Sequence, residues 1–585
     1  MLFGKKKEKQ QHSVLEEEQM QSPFRTIIKN LLENKLAMGG LIVFVSIFAM
    51  CFILPIWFHQ DLNFQDPTQK NIAPGFSFLS VPKDLKNNAE IIEFGPTFGV
   101  GVDKDGYVYE WGQLSKNLKK IPYDMGKIVD IAVGQDHVLA LNDKGKLFTW
   151  GFNRMGLNHI PQELQGKRIR DIEAGYQVSI AVTEDGEVVS WGNENAVDIS
   201  PSKVKKEKVQ EVKSNIQTGM ALTKDGRVIS LAKKETVFDK VPEEIQGKVK
   251  KIALTDKAAA AVLKDGTVSV WGNNHDHIFE VPEEVQGNAV DISAGRNHIV
   301  VVTKDGNAIA WGGNENKQAK VPSKAKDIAK VSSGYYQNCV IKEDGSVVTW
   351  GLKGYLLGTD NLGRNVFYRI LKGGQMTMTV GFIAVIIQFA IGIFVGGISG
   401  YYGGKVDILL MRLSEVVGSL PFIPLALILS ALIGNKVSDV GRIIMIMLIL
   451  GVLGWTGIAN MVRAQVLAER NKEFVVAAKA LGVKERNIIF RHIVPNVMTI
   501  IIVQATISFA SCMLTESGLS FLGFGVAEPL PSWGNMLNNC RSSEVISQYW
   551  WRWVFPSIVL GLCTVSINLF GDGLRKAVDP KANER

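Results

Sequence analysis

One glycine-containing turn recurs at nearly constant spacing through the first half of this 585-residue chain. Each copy has an apolar strand ending in Gly, a second apolar strand, an Asp-Gly or Lys-Gly turn, and a third strand that in most copies ends in Trp-Gly. Repeats of this length stack identical small units whose faces bury one another. Successive turn glycines are 39, 41, 40, 40, 40 and 39 residues apart, at Gly106, Gly145, Gly186, Gly226, Gly266, Gly306 and Gly345.

Such a glycine supplies the positive φ that a tight hairpin needs, so we predict a two-residue hairpin between the second and third strands of every copy. Seven small sheets arranged radially close into a ring with few exposed edges. The repeat resembles the regulator-of-chromosome-condensation type of β-propeller, although these blades are shorter than usual. We predict a seven-bladed propeller over residues 60–352.

Few residues of this region suggest chemistry. His275 and His277 form an HDH sequence, but two solvated histidines are the simpler interpretation because a metal site needs more converging ligands. The five cysteines have no CxxC spacing, so neither a disulfide framework nor a zinc site is predicted. His137 and His298 occupy equivalent repeat positions, which favours a structural role. We predict that the propeller is a binding platform.

Six apolar stretches are long enough, at roughly 20 residues, to cross a bilayer as helices. Twenty Lys and Arg residues fall in the connections 1–35, 403–412, 463–496 and 575–585, against four in those on the other side. Positive loops remain cytoplasmic, so both termini are predicted inside and the propeller outside. The net charge of +8 then needs no nucleic acid partner. The predicted spans are 36–58, 376–402, 413–434, 442–462, 497–518 and 553–574.

The loop NKEFVVAAKALGVKERNIIFRHIVPN, residues 471–496, combines small residues with a basic rim. Small side chains allow close backbone approach by another subunit, whereas anionic lipid is the alternative partner for such a basic loop. The loop is similar to the coupling motif of binding-protein-dependent ABC importers, which implies that it docks on an ATPase subunit. Val476 and His492 depart from that motif. The residues concerned are Ala477, Ala478, Gly482 and Pro495, which match the motif, and the basic Lys479, Lys484, Arg486 and Arg491.

Three further motifs resemble the oligopeptide and dipeptide permeases. LGTDNLGRNVFYRILKGG at 357–374 is similar to their GTDxxGRD signature, with Asn365 in place of the final Asp. Thr359 or Asp360 could instead cap an interfacial helix. The stretches 515–537 and 567–580 are similar to an outer loop and a closing segment of the same family. The matching signature residues are Gly358, Thr359, Asp360, Gly363 and Arg364.

Polar residues inside the predicted spans are candidates for a translocation pathway. Polar groups in hydrocarbon tend to face a bundle interior or a water-filled path, but they also bond across helices. We select Gln388, Gln504 and Glu516 on this ground. The stretch GGISGYYGGK, residues 396–405, fails the phosphate-loop pattern, so ATP and Mg²⁺ are expected only on partner subunits.

The resemblance implies a permease subunit of an ABC importer for oligopeptides or dipeptides in the bacterial plasma membrane. Its partners would be a second permease subunit, two ATPases, an extracellular binding protein, the peptide and the bilayer. The alternative is a membrane-anchored sensor or adhesion protein; an exporter is disfavoured. The predicted fold is an α-helical polytopic membrane protein with six transmembrane helices and an inserted all-β seven-bladed propeller. Its predicted parts are a cytoplasmic segment 1–35, helix 36–58, the propeller 60–352, an interfacial segment 353–375, a helical core 376–574 with the coupling loop 463–496, and a cytoplasmic tail 575–585.

Overall fold

The computed structural model describes residues 23–57, 60–193, 195–434 and 437–578. Residues 1–22 and 579–585 lie outside this description, and with them most of the predicted cytoplasmic segment and tail. The chain divides into two compact units. The β unit comprises residues 66–363, and the helical unit comprises the chain up to residue 65 and from residue 364 onward.

The β unit contains the seven sheets that the repeat predicts, each built from three consecutive antiparallel strands. It extends to Gly363, beyond the predicted boundary at residue 352. In chain order the sheets are β1 (Ala89–Phe94), β2 (Phe98–Asp103) and β3 (Val108–Gly112); β4 (Ile128–Val133), β5 (His137–Asn142) and β6 (Leu147–Gly151); β7 (Ile169–Ala174), β8 (Val178–Thr183) and β9 (Val188–Gly192); β10 (Val209–Ser214), β11 (Gly219–Thr223) and β12 (Val228–Ser230); β13 (Val249–Leu254), β14 (Ala258–Leu263) and β15 (Val268–Gly272); β16 (Ala289–Ala294), β17 (His298–Thr303) and β18 (Ala308–Gly312); and β19 (Ile328–Ser333), β20 (Gln337–Lys342) and β21 (Val347–Gly351).

The hairpin within each blade is one residue longer than predicted. In the first blade the Asp103 N–H donates to the Tyr107 carbonyl at 3.1 Å, and the Gly106 N–H donates to the Asp103 carbonyl at 3.0 Å. This is a three-residue loop whose last residue lies in the left-handed region, with Gly106 at φ 92°. The prediction of a two-residue loop was wrong, but the need for glycine at this position holds.

Neighbouring blades are joined by buried side chains. The Nε2 atom of His137 lies 3.1 Å from the Ser179 hydroxyl in the following blade. The Nε2 atom of His298 likewise lies 2.7 Å from the side-chain oxygen of Asn338 in the blade that follows its own. Both rings are fully buried, and burial lowers the pKa of each to about 4. The two histidines therefore act as neutral hydrogen-bonding groups between blades.

The helical unit contains fourteen α-helical segments among its described residues, with a π-helical turn at Ile488–Ile493 between α9 and α10. Its largest buried core is formed by residues of α3, α6, α7 and α11. The helices are α1 (Pro23–Glu33), α2 (Lys35–Trp57), α3 (Val366–Tyr402), α4 (Gly404–Ser419), α5 (Phe422–Gly434), α6 (Asp439–Leu453), α7 (Thr456–Glu469), α8 (Glu473–Ala480), α9 (Glu485–Asn487), α10 (Val494–Asn496), α11 (Met498–Phe521), α12 (Trp533–Asn538), α13 (Ser543–Gln548) and α14 (Trp551–Val578).

Only four of the six predicted spans are single long helices among the described residues, namely α2, α3, α11 and α14. The predicted spans 413–434 and 442–462 correspond to helix pairs, α4 with α5 and α6 with α7, bent by 76° and 41°. Leu420 ends α4 at φ −68° and ψ 131°, the extended conformation that a following proline imposes. Gly454 and Trp455 separate α6 from α7.

Helix α3 begins earlier than predicted. Asn365 is its N-cap, and its side-chain oxygen accepts the N–H of Phe367 at 3.0 Å and of Tyr368 at 3.5 Å. The hypothesis that Thr359 or Asp360 caps this helix was wrong, and residues 366–375 of the predicted interfacial segment belong to α3. Asn365 stands where the signature that this stretch resembles has Asp, and both residues are favourable N-caps.

Candidate functional site

The predicted coupling loop folds as a short helix closed by a glycine turn. After α8, the Gly482 N–H donates to the Lys479 carbonyl and the Val483 N–H donates to the Ala478 carbonyl, at 3.0 and 3.1 Å. This is the Schellman arrangement, which places Gly482 in the left-handed region at φ 74°. A Cβ atom at Gly482 would meet nothing within 4 Å. The glycine is thus required by backbone conformation, and its surroundings in this chain are open.

Helix α8 presents an apolar side to its surroundings. Phe474, Ala477 and Leu481 follow at i, i+3 and i+7 and are exposed, with Leu481 82% exposed. Val475 and Ala478 face the core of the chain's own helical unit. The two alanines therefore have different environments: Ala477 is available to another subunit, whereas Ala478 packs internally.

The basic residues around α8 are also exposed. Lys484, Arg486 and Arg491 all lie on the surface of the segment that follows Gly482, and Pro495 is exposed in α10. The π-helical turn Ile488–Ile493 lies between Arg486 and Pro495 and buries Ile488, Ile489 and Ile493. These buried side chains fix the segment to the helical core. An apolar side with cationic neighbours forms a surface of the kind that docks on a protein groove with an acidic rim.

The predicted signature before α3 pairs with the chain entering the propeller. Residues 66–75 and 353–363, here called the clasp, are joined by backbone hydrogen bonds such as Asp66 N–H to Leu362 carbonyl and Thr359 N–H to Ile72 carbonyl, both 2.9 Å. The fully buried Thr359 hydroxyl also accepts the Ile72 N–H at 2.8 Å. A side chain at Gly363 would collide with the Asp66 carbonyl. Within the β unit, this part of the signature holds the entering and leaving chains together.

The clasp is anchored to the blades by a buried charged cluster. The Arg296 guanidinium contacts the fully buried Asp66 carboxylate and lies 2.8 Å from the Asp256 carboxylate. The Tyr336 hydroxyl donates to Asp66 at 2.9 Å. Burial raises the pKa of Asp256 to about 6 even beside this arginine. Gln69 donates its side-chain amide to the Pro96 carbonyl at 3.0 Å, which adds a contact to the first blade.

The last signature residue, Arg364, belongs to the helical unit. Its guanidinium and that of Arg369 both contact the Glu528 carboxylate, and both arginines are buried. The Asn539 side-chain amide donates to the same carboxylate at 3.0 Å. The signature arginine therefore fixes the start of α3 to the loop between α11 and α12.

Glu516 is fully buried near the end of α11. Its carboxylate accepts the Ser520 hydroxyl at 2.6 Å and the Ser517 hydroxyl at 3.3 Å. A Cβ atom at Gly525 would overlap the Ser520 side chain, so the loop after α11 approaches this group very closely. The surroundings of Glu516 are those of a structural anchor for the loop.

Gln388 donates its amide to the Leu450 carbonyl at 2.9 Å and to Cys512 Sγ at 3.3 Å, which links α3 to α6 and α11. A side chain at position 454 would collide with this amide, which accounts for Gly454 at the break after α6. Gln504 is half-buried on α11. Of the predicted pathway residues, Gln388 occupies the bridging position between helices, and the pathway role of all three stays a prediction.

The seven first strands of the blades line a central channel of about 450 Å³. The predictions from the sequence did not include the charged residues of this channel. Their signal is a charged residue within an otherwise apolar strand, as in DIAV. The Lys213 ammonium lies 3.6 Å from the Glu173 carboxylate and 4.0 Å from that of Glu211. Burial raises the pKa of Glu93 to about 7 and that of Asp130 to about 6. The lining carboxylates are Glu93, Asp130, Asp171, Glu173, Glu211, Asp256 and Asp291, and the lining cations are Lys213, Lys251, Arg296 and Lys330.

The two candidate histidines of the surface loop have carboxylate neighbours. His275 Nδ1 lies 2.6 Å from Asp276, and His277 Nδ1 lies 2.7 Å from Glu280, with both rings exposed. A hydrogen bond to Glu280 raises the pKa of His277. Among the described residues, no three His, Cys, Asp or Glu side chains converge in a way that could hold a metal ion.

Comparison with known families gives three matches. The family described as binding-protein-dependent transport system inner membrane component matches residues 388–584. The N-terminal TM domain of oligopeptide transport permease C matches residues 22–74. The regulator of chromosome condensation (RCC1) repeat matches residues 128–157, 169–196 and 289–318.

Several curated proteins resemble the helical part. The chain is 42% identical over 224 residues to the dipeptide transport system permease protein DppC of Bacillus subtilis, covering 38% of this chain and 68% of that protein. It is 41% identical over 231 residues to the oligopeptide transport system permease protein OppC of Haemophilus influenzae, covering 39% and 72%. Among solved structures, the CRINKLY WD40 ectodomain of the Arabidopsis thaliana receptor kinase ACR4 is 18% identical, covering 45% of this chain and 94% of that one, with a TM-score of 0.36.

Proposed function

We propose a function from one premise: this chain belongs to the family of binding-protein-dependent transport system inner membrane components and is a peptide permease with an inserted RCC1-like propeller. It forms half of the translocation pathway of an ATP-driven importer for oligopeptides or dipeptides. A second, related permease subunit supplies the other half. Two ATPases bind on the cytoplasmic side, and an extracellular binding protein delivers the peptide. ATP and Mg²⁺ belong to the ATPases.

We assign six membrane crossings to the helical unit, four by single helices and two by the bent pairs α4–α5 and α6–α7. With the positive loops inside, both termini are cytoplasmic and the propeller is extracellular. There it serves as a platform that binds either the binding protein or material outside the cell. The plasma membrane of a bacterium is the corresponding location.

The observation that carries this proposal is the exposed apolar side of α8. Phe474, Ala477 and Leu481 lie together on the loop that resembles a coupling motif, and Leu481 has most of its surface free. Burying such a side chain at an interface contributes about 2 kcal/mol. ATP binding then moves the ATPases, and their differential contacts with this surface shift the permease between outward-facing and inward-facing populations.

Replacing Leu481 with Glu is expected to reduce the amount of ATPase that co-purifies with the chain by about tenfold or more, because a carboxylate enters an apolar contact. Leu481 is too exposed for the change to disturb folding. The measurement is the ratio of ATPase to permease after purification in detergent, together with peptide uptake in reconstituted vesicles.

Val476→Glu is the matched control. Val476 is apolar, 55% exposed and on the same helix, but it lies on a different side from Phe474 and Leu481. The control is expected to retain most of the ATPase. If wild-type chain purifies without any ATPase, or if Leu481→Glu binds ATPase and imports peptide normally, the assignment of this surface is wrong and a sensor or adhesion protein becomes the better interpretation.

A further inference from the structure

The docking segment, residues 473–487, lies in sequence between α7 and α11, yet two of its charged residues contact α3. The Lys479 ammonium lies 4.8 Å from the centre of the Tyr401 ring. The Tyr402 side chain lies beside the Glu485 carboxylate. Lys479 precedes the Gly482 turn and Glu485 follows it. Tyr401 and Tyr402, the last two residues of α3, therefore lie against both sides of that turn.

The two tyrosines form one contact surface. Their rings meet edge to face with centres 5.4 Å apart. Tyr401 is only 6% exposed, and its hydroxyl has no hydrogen-bond partner among the residues that the structure describes. A buried hydroxyl without a partner is unfavourable, so packing of the Tyr401 ring rather than hydrogen bonding determines its position here.

A stripe of glycines ties the same end of α3 to α7. Gly392, Gly396 and Gly400 recur every fourth residue and therefore lie on one side of α3. A Cβ atom at Gly400 would lie 2.7 Å from the Arg463 carbonyl, and one at Gly392 would lie 2.7 Å from Ile458 Cβ. This packing lets the two backbones approach so closely that the helices move together.

Two further contacts join α3 to the chain between α7 and α11. The Arg470 guanidinium donates to the Gly400 carbonyl at 3.3 Å, and the Phe394 ring stacks on Phe490 with centres 6.2 Å apart. Helix α7 is separated from α8 by residues 470–472 and from α6 by Gly454 and Trp455. The contacts of Arg470 and Phe490 tie the chain on both sides of the docking segment to the second half of α3.

We propose that Tyr401 and Tyr402 are positioning residues that transmit movement of the docking segment to α3. This inference rests on the proposed function, since it names how the docking surface reaches a pathway helix. Helix α3 is not adjacent to the docking segment in sequence. The side chains of Tyr401 and Tyr402 connect the two through Lys479 and Glu485.

The test uses the full complex in vesicles, with the permease variant Tyr401→Leu/Tyr402→Phe. Neither residue belongs to the apolar docking side, so co-purified ATPase and ATP hydrolysis are expected to remain. Peptide imported per ATP hydrolysed is expected to fall about fivefold, because the double variant removes the Tyr401 ring from beneath the Lys479 ammonium. Tyr401→Phe keeps the ring beneath Lys479, so this conservative variant is expected to import like wild type.

A second measurement needs no transport. Hydrogen exchange of the purified full chain is expected to be about fivefold faster in residues 398–403 and 479–487 of the double variant, because both contacts are lost. Unchanged exchange, or an unchanged import per ATP in the double variant, overturns the inference. A wild-type chain that binds no ATPase while its variant shows faster exchange instead refutes the proposed function and leaves the contact established.

Discussion

Replacing Arg296 with Met is expected to lower the free energy of opening of the propeller by about 4 kcal/mol, because the change leaves two buried carboxylates without their cation. Asp66 is fully buried and touches the Arg296 guanidinium, and Asp256 lies 2.8 Å from it. Methionine fills much of the same volume but carries no charge. The measurement is hydrogen exchange of the full chain in detergent, followed in peptides from the clasp and from β13 to β21.

Arg227→Met provides a matched control. Arg227 also bridges two carboxylates, Asp225 at 2.7 Å and Glu207 at 2.6 Å, but it is 44% exposed. Exposed ion pairs contribute about 0–1 kcal/mol, so this variant is expected to exchange almost as wild type does. Adding Asp66→Asn to Arg296→Met should restore part of the lost free energy of opening, because it removes one of the two carboxylates left without a cation.

Two results would contradict this account. Equal exchange in Arg296→Met and Arg227→Met would mean that the cluster does not hold the clasp. Faster exchange confined to residues 290–300, with the clasp unaffected, would mean that Arg296 stabilises only its own blade.

Between pH 5 and 8 the contribution of Glu93 and Asp130 to the stability of the propeller is expected to fall by about 3 kcal/mol, because these carboxyl groups lose protons that they hold more tightly when folded. The buried His137 and His298, whose pKa values are lowered, act in the opposite direction over the same range, so the contribution is measured as the difference between wild type and a variant without the two carboxyl groups. Burial raises the pKa of Glu93 to about 7 and of Asp130 to about 6, above their ordinary values. A carboxyl group with a raised folded pKa stabilises the fold at low pH, and that contribution is lost as the pH rises through the folded pKa. Hydrogen exchange at several pH values, corrected for intrinsic rates, measures the change.

The groups facing these two carboxyls explain the direction of the shift. Lys213 lowers both pKa values, and the Ser332 hydroxyl bonds Glu93, but the carboxylate of Glu173 opposes them. One cation shared among several carboxylates cannot compensate for their removal from water.

The double variant Glu93→Gln/Asp130→Asn tests the assignment. It is expected to exchange more slowly than wild type at pH 8, and its stability relative to wild type is expected to rise by about 3 kcal/mol between pH 5 and 8. Asp344→Asn, on an exposed turn where hydrogen bonds lower the pKa, is the control and should keep the wild-type profile. A double variant whose stability changes with pH as that of the wild type does would refute the prediction.

Features that depend on neighbours in the chain were predictable. The turn glycines recur because each must adopt positive φ within its own hairpin, and the apolar spans recur because a bilayer requires about 20 such residues. The loop length was not predictable from the dipeptide alone, because it is set by which residues pair at the ends of the two strands: the Asp103 N–H donates to the Tyr107 carbonyl, which leaves three residues between them. The cap of α3 was missed for a similar reason, since several residues before it could serve as caps.

By itself the sequence determined that this chain combines a seven-fold β repeat with membrane helices, because both signals are periodic and local. Only the tertiary structure decided which of two adjacent alanines faces outward, since Ala477 and Ala478 differ only in what packs against α8. It likewise brought Asp66 to Arg296 across more than two hundred residues and Tyr402 to Glu485 across a helix break. Such pairs follow from how whole elements pack, and residue spacing does not encode that packing in a form that can be read along the chain.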